Sequence, residues 1–74
     1  MFGDQLRRAR EEAGLTQEQL ADGARVHRTY VSLLERDRKS PTLEVMFRMA
    51  DVLGVPLSTL IARVEAARLA HPKG

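Results

Sequence analysis

Positive charge is concentrated in residues 25–40, and this segment holds the side chains best suited to bind a charged partner. It carries five basic and two acidic residues, whereas residues 1–24 carry three basic and five acidic residues. Over the whole chain, 12 Lys and Arg residues against 10 Asp and Glu residues give a net charge of only +2, which by itself does not identify a nucleic-acid binder. The local excess fits two interpretations, a solvated surface patch and a surface for an anionic partner.

Side chains suited to catalysis or metal binding are few and scattered. The chain has no cysteine, and its two histidines, His27 and His71, are too far apart in sequence to form a ligand cluster by themselves. His27 has no evident nucleophile beside it, and the acids Glu11 and Glu12 point in different directions from one helix. We therefore predict that the protein is not an enzyme and holds no metal, cofactor or small-molecule ligand.

The length and composition predict one small domain. The chain has 74 residues, of which 43% are hydrophobic, and its longest apolar runs are three residues, as in Val45-Met46-Phe47. Such runs are too short to span a membrane, and the N-terminal residues lack the apolar stretch of a secretion signal. We expect a single domain over residues 1–70, a frayed tail over residues 71–74, no membrane association and a cytoplasmic location.

The spacing of apolar residues by three and four predicts an all-α fold of five helices. Local signals mark their ends: Gly14 and Gly54 as left-handed stops, Thr16 with Gln19 as a capping box, and Thr42 as an N-cap. The predicted helices run from Asp4 to Ala13, from Gln17 for two turns, from Arg28 to Arg36, from after Thr42 to Leu53, and from Leu57 or Ser58 to Leu69.

The second and third helices carry the spacing of a helix-turn-helix. Two short helices joined by a three-residue turn cross steeply only where a small residue, here Ala21, lies at the crossing point. Val26 fills the turn, and the inward positions are Leu20, Ala24, Val31 and Leu34. In this arrangement the second helix protrudes and can enter the DNA major groove. An ordinary three-helix core shows some of the same pattern.

Several segments resemble the phage-repressor and Cro-like helix-turn-helix regulators, also called the XRE family. The likeness extends from about Asp4 to Ile61. Its matching segments are Leu6-Arg7-Arg8-Ala9-Arg10, Gly14-Leu15-Thr16-Gln17-Glu18-Gln19-Leu20-Ala21, Arg28-Thr29-Tyr30-Val31-Ser32-Leu33-Leu34-Glu35-Arg36, Ser40-Pro41-Thr42-Leu43 and Leu53-Gly54-Val55-Pro56. The Arg28-Thr29-Tyr30 opening also resembles, more weakly, the controller proteins of restriction–modification systems.

The resemblance implies a compact lambda-repressor-like domain that binds double-stranded DNA as a transcriptional regulator, with residues 28–36 as the recognition helix. The base-contacting positions it implies are Arg28, Thr29, Ser32 and Leu33. The phosphate-contacting positions are Thr16, Gln17, Tyr30, Arg36, Arg38 and Lys39. Leu33 also fits a residue merely covered by a neighbour, and Tyr30 also fits a partly buried core residue. Arg10 and Glu35 match a family pair that ties the first helix to the end of the third.

Two positions depart from the family pattern. Arg25 in the turn and Asp37 after the third helix stand where glycine is usual, and both positions tend to require a positive φ. Asp tolerates that conformation fairly well, whereas Arg is strained by about 1 kcal/mol or more. Either the turn is rebuilt or the strain is accepted, and the angle of the recognition helix depends on which holds.

Two apolar stripes predict a homodimer. The fifth helix carries Leu57, Leu60, Ile61 and Val64, and the fourth carries Val45, Met49 and Val52. Two-fold pairing of these faces would set two recognition helices about 34 Å apart, one DNA turn, on a palindromic operator. The competing interpretation is that the fifth helix folds back on Leu6 and Leu53 within the monomer.

A protein-binding adaptor or an antitoxin of the same fold is the alternative function.

Overall fold

The computed structural model describes residues 1–70, which form five helices and, within that range, no strand. The helices are α1 (Phe2–Glu12), α2 (Gln17–Ala24), α3 (Arg28–Glu35), α4 (Leu43–Leu53) and α5 (Leu57–Ala70). The all-α prediction is confirmed, and the bounds agree within two residues. The predicted tail, residues 71–74, lies outside the described residues.

The predicted end signals are present, and Gly14, which follows the end of α1, adopts the left-handed conformation with φ 73°. Thr16 Oγ1 accepts from the backbone N–H of Gln19 at 3.0 Å, and the Gln19 side-chain oxygen accepts from Thr16 N–H at 2.9 Å, which completes the capping box. Thr42 Oγ1 accepts from Val45 N–H at 3.1 Å and begins α4. Gly54 ends α4 in the left-handed conformation with φ 75°. These ends form where expected because each depends on residues within one turn.

The first helix begins two residues earlier than predicted because Asp37, distant in sequence, caps it. Asp37 Oδ1 accepts from the backbone N–H of Gly3 at 2.9 Å, and its other oxygen pairs with the Met1 α-amino group. Gly3 is buried there, and a Cβ at this position would lie 2.4 Å from the carbonyl oxygens of Leu34 and Glu35. Only glycine lets α1 approach the end of α3 this closely.

One core joins all five helices. It is formed by Leu6, Ala9, Leu20, Ala21, Ala24, Val31, Leu34, Met49, Leu53 and Leu60. The helix-turn-helix positions predicted to point inward are therefore buried, with Val26 packed at the edge of the core. Within this arrangement α2 packs against α3 and α4, while α1 packs against α3 and α5.

A sharp bend separates α4 from α5. The two helices are bent by 106° across the break between Leu53 and Leu57. Neither is long and apolar enough to cross a membrane, and the same holds for every single helix of residues 1–70; this pair passes by length and composition only when taken together. The bend returns α5 to the core, where Leu60 is buried beside Leu6 and Leu53.

Candidate nucleic-acid interface

The third helix buries one face and presents the other outward. Val31 and Leu34 are fully buried, whereas Arg28 and Thr29 at its start are exposed. Ser32 and Leu33 are partly buried, so they retain some accessible surface beside the exposed pair. The four residues predicted to contact bases thus all keep an outward-facing part.

His27 begins the third helix, a role that the sequence analysis missed. Its Nδ1 accepts a hydrogen bond from the backbone N–H of Thr29 at 3.1 Å. The bond places the ring at the N-terminus of α3 and uses its Nδ1 lone pair. Histidine is not among the preferred N-cap residues, so its type gave little signal.

The start of the second helix presents unpaired backbone donors. The capping box uses the N–H groups of Thr16 and Gln19. The N–H groups of Gln17 and Glu18, in the first turn, accordingly have no acceptor among the described residues. Free N–H groups and the positive end of the helix dipole together favour an anion at this position.

Arg28 lies beside this helix end. A surface cleft of the structure is lined by Arg10, Gly14, Leu15, Thr16, Gln17, Glu18 and Arg28. The first residue of α3 and the first turn of α2 therefore share one concave surface. An arginine on this surface has the donor geometry to bind either a phosphate at the start of α2 or the edge of a base.

The cationic turn after α3 is held by its own backbone. Asp37 adopts φ 55°, and the N–H groups of Asp37 and Arg38 donate to the carbonyls of Leu34 and Leu33 at 3.0 and 2.8 Å. This left-handed end leaves the side chains predicted to bind phosphate, those of Arg36, Arg38 and Lys39, exposed on one turn. Tyr30, by contrast, is partly buried against the core, in agreement with the second interpretation given for it.

Asp37 remains ionised in this turn. Partial burial opposes ionisation, but the hydrogen bonds from the α-amino group and from Gly3 N–H outweigh it and hold the pKa of Asp37 below its ordinary value. The carboxylate is thus committed to the start of α1. Its charge lies beside the exposed cations without pairing with them in the described structure.

Arg10 and Glu35 form the predicted ion pair. Arg10 Nε lies 2.6 Å from Glu35 Oε2, Nη2 lies 3.0 Å from Oε1, and the two side chains are 12% and 3% exposed. A bidentate hydrogen bond from Arg10 outweighs burial and raises the pKa of the guanidinium. Arg10 Nη1 also donates to the Leu15 carbonyl at 2.9 Å, so the pair holds the loop before α2 as well.

The Gln17 side chain has a different partner from the predicted one. Its Nε2 donates to Glu35 Oε1 at 3.0 Å, and the side chain is partly buried rather than free at the surface. The family resemblance implies a phosphate contact at Gln17. In the structure the backbone N–H of Gln17, not its side-chain nitrogen, remains available for that contact.

Arg48 closes the other end of α2. Its Nε donates to the Ala24 carbonyl at 2.8 Å, and its Nη1 lies 3.1 Å from Glu44 one turn earlier in α4. Arg25 follows directly in the left-handed conformation with φ 61°, so the chain accepts the strain expected at this position. The four-residue spacing of Glu44 and Arg48 predicts an ion pair between them, but no local pattern predicts the hydrogen bond from Arg48 to Ala24.

The dimer prediction requires correction at two residues. Met49 and Leu60 are 0% and 1% exposed because both point into the monomer core, and neither is available to a partner. Val45, Val52 and Leu57 are partly buried against that core, with the Val52 side chain directly over Gly23. The competing interpretation, that α5 folds back within the monomer, therefore holds for its inner residues.

The apolar surface left open lies between α4 and α5. A groove there is lined by Phe47, Ala50, Asp51, Val55, Pro56, Leu57, Ser58 and Ile61. Phe47 is 52% exposed and Ile61 38%, and Leu43 one turn before Phe47 is exposed as well. Of the predicted interface residues, Ile61 keeps an open face and Val64 is partly buried.

A family model and several characterised proteins match this chain. The model, described as helix-turn-helix, matches residues 6–60. The transcriptional regulator ClgR of Mycobacterium tuberculosis is 38% identical over an alignment that covers 100% of this chain and 72% of that protein. The immunity repressor protein of Bacillus phage phi105 is 37% identical over 80% of this chain, which spans only 41% of the repressor's length.

Several solved structures of regulatory proteins superimpose on this chain. ClgR from Corynebacterium glutamicum superimposes with a TM-score of 0.91 at 28% identity, over 96% of this chain and 76% of that one. The restriction–modification controller protein C.AhdI from Aeromonas hydrophila has a TM-score of 0.78 at 34% identity, over 80% and 89% of the two chains. The biofilm regulator SinR, solved in complex with DNA, has a TM-score of 0.77 at 31% identity, over 82% and 98%.

Proposed function

The chain belongs to the XRE-type helix-turn-helix family, and on this basis we propose that it binds double-stranded DNA sequence-specifically as a transcriptional regulator. The observation that carries the proposal is the charge of the outward surface of α3 and the turn after it. Arg28, Arg36, Arg38 and Lys39 are exposed there, and both acids of this region are paired: Glu35 is buried against Arg10, and Asp37 bonds to the Met1 α-amino group and to Gly3 N–H. A surface of exposed cations without a free acid suits DNA better than a typical protein interface, which disfavours the adaptor and antitoxin alternative.

In the proposed complex α3 lies in the major groove. A groove about 12 Å wide admits one α-helix, and Arg28 can then bind the O6 and N7 atoms of guanine as a bidentate donor. Thr29 and Ser32 can donate or accept, and the accessible part of Leu33 can contact a thymine methyl group. Residues at both ends of the helix-turn-helix fix its register on the backbone: the N–H groups of Gln17 and Glu18 bind one phosphate, and Arg36, Arg38 and Lys39 neutralise others.

A second copy of the chain is the proposed occupant of the groove between α4 and α5. Phe47, Val55, Pro56 and Ile61 line an apolar surface with Leu43 exposed nearby. A two-fold axis through this surface would place identical apolar residues opposite one another. Burial of this surface would stabilise a dimer that presents two α3 helices to one face of DNA. The operator would be palindromic, and the protein would act in the cytoplasm.

Selection from a random duplex library tests the proposal. We expect enrichment of an inverted repeat whose half-site centres are about 34 Å apart, one helical turn. The same selection with an Arg28→Ala, Thr29→Ala double variant should lose the enriched sequence, because it removes two exposed side chains without touching the core. Failure of the wild-type chain to enrich any sequence at moderate salt would contradict sequence-specific binding.

A further inference from the structure

We propose that Gln17 is a positioning residue for DNA recognition, which acts by fixing the start of α2 to the end of α3 through Glu35. The inference rests on the proposed function and extends it, because it gives Gln17 a role other than direct contact with a phosphate. Gln17 is the first residue of α2 and Glu35 is the last residue of α3. The hydrogen bond between them therefore joins the helix end that holds a phosphate to the helix that reads bases.

The Glu35 carboxylate is placed to hold this link rigidly. Its Oε2 accepts from Arg10 Nε at 2.6 Å, and its Oε1 accepts from Arg10 Nη2 and from Gln17 Nε2, both at 3.0 Å. The side chain is 3% exposed, so water competes little for these bonds. A buried charge with several donors keeps each donor in a narrow range of positions, because loss of any one leaves part of the charge unsolvated.

The link compensates for a junction that is short and strained. The turn between α2 and α3 begins at Arg25, which lies in the left-handed conformation at φ 61°. At this end Arg48 holds the Ala24 carbonyl, and at the opposite end Gln17 holds Glu35. With both ends fixed, the distance between the N–H groups at the start of α2 and the side chains of α3 is set before DNA binds.

This geometry predicts a loss of discrimination when the link is removed. Phosphate contacts fix the register of the protein on the duplex, and base contacts read the sequence in that register. If the start of α2 can move relative to α3, the phosphate contacts and the base contacts at the preferred site no longer form together, and binding weakens. Random duplex is bound through phosphates in many registers, so its affinity depends little on how α2 is positioned relative to α3.

The test compares Gln17→Met with Gln19→Met in the full chain. Both variants replace a glutamine in the first turn of α2 with methionine, which is similar in size. The Gln19 side chain bonds within its own capping box, whereas the Gln17 side chain bonds to α3. Dissociation constants are measured on the selected duplex and on random duplex of equal length. We expect Gln17→Met to weaken the selected duplex by about 3-fold to 30-fold and to weaken random duplex no more than Gln19→Met does, because methionine keeps the backbone N–H proposed to bind phosphate. Gln19→Met should change the two affinities by one common factor. Equal weakening of both duplexes by Gln17→Met would identify a direct phosphate contact and overturn the inference, as would no change in either.

A measurement without DNA separates this inference from the proposed function. In the free protein, Gln17→Met should shift the backbone amide resonances of Arg36 and Asp37, which follow Glu35, and Gln19→Met should leave them in place. Unshifted resonances in Gln17→Met would overturn the inference whatever the chain does with DNA. A wild-type chain that binds both duplexes equally would contradict the proposed function instead, and the resonance shift keeps the two failures distinguishable.

Discussion

Arg10 and Glu35, 25 residues apart in the sequence, form a bidentate ion pair that is nearly excluded from water. The pair connects the last turn of α1 to the last residue of α3 and so restrains the orientation of α3 on the domain. Both of its side chains are more buried than those of the surface pair Arg7 and Asp4, which are 52% and 43% exposed. The two pairs therefore offer a matched comparison of a buried and an exposed interaction.

Removal of either buried partner should strongly destabilise the fold. We expect Arg10→Ala or Glu35→Ala to lower the free energy of unfolding by about 3 kcal/mol, because the remaining charge is left in desolvated surroundings. Arg7→Ala should cost less than about 1 kcal/mol. Thermal unfolding of the single and double variants gives the coupling energy. A coupling indistinguishable from zero for Arg10 and Glu35 would show that the two residues act as independent solvated charges.

Arg25 and Asp37 share a left-handed backbone but should respond oppositely to glycine. Their φ angles are 61° and 55°, and only the Asp37 side chain makes hydrogen bonds within the described structure. Arg25→Gly should stabilise the protein by about 1 kcal/mol through relief of strain. Asp37→Gly relieves strain too but removes the cap of α1, so we expect it to be neutral or destabilising. Denaturant unfolding measures both, and equal stabilisation by the two variants would contradict the capping role of Asp37.

The lowered pKa of Asp37 predicts a specific dependence of stability on pH. The folded state binds the Asp37 proton more weakly than the unfolded state, whose carboxyl has a pKa of about 3.9. The contribution of this group is therefore complete above that value and is lost as the pH falls through the lower pKa of the folded state. Between about pH 6 and about pH 2, a range that includes the transition, the unfolding free energy should fall less steeply with decreasing pH for Asp37→Asn than for wild type. Parallel curves would show that the contacts with Gly3 and Met1 do not favour the ionised carboxylate.

The parts of the fold that follow from local signals could be predicted, and those that depend on tertiary packing could not. The caps at Thr16, Thr42 and Gly54 form where the sequence indicates because each involves residues within one turn. The burial of Met49 and Leu60 depends on how α4 and α5 pack on the other helices, and helical spacing alone does not distinguish an inner stripe from an exposed one.

The candidate site shows the same division. Helical spacing placed Val31 and Leu34 inward, which left Arg28 and Thr29 on the open surface. The family resemblance implied the long-range pair of Arg10 and Glu35, but it implied no contact between Gln17 and Glu35. That hydrogen bond was missed because nothing in the local pattern of either residue requires the other. Contacts of this kind depend on how the helices pack, which the sequence alone leaves open.

Arg28 and Lys39 should differ in how they affect DNA binding. Arg28→Ala should weaken the preferred site by about 1 to 3 kcal/mol and relax base preference at one position of each half-site. Lys39, exposed in the turn after α3, should contact phosphate only, so Lys39→Ala should weaken all sequences alike and reduce the slope of log K against log salt by about 1. Arg28 also lines the cleft at the start of α2. If Arg28→Ala weakened binding to specific and random DNA equally, Arg28 would be identified as a phosphate contact rather than a base contact.

The groove between α4 and α5 predicts which substitutions separate dimerisation from folding. Phe47 and Ile61 line the groove and are 52% and 38% exposed. Met49, two residues after Phe47 on α4, is fully buried. Phe47→Asp together with Ile61→Asp should therefore give a folded monomer, because the new charges face solvent once the partner is absent. Met49→Asp should unfold the chain, since a carboxylate would be buried without a partner.

Sedimentation and circular dichroism measure these outcomes together. The wild type should sediment as a dimer at concentrations on the order of tens of micromolar, and the Phe47→Asp, Ile61→Asp variant as a monomer with unchanged helical signal. On DNA this variant should occupy single half-sites and lose the affinity gained when two linked half-site contacts form together. A monomeric wild type at those concentrations, or a double variant that still dimerises, would show that copies of the chain associate through another surface or not at all.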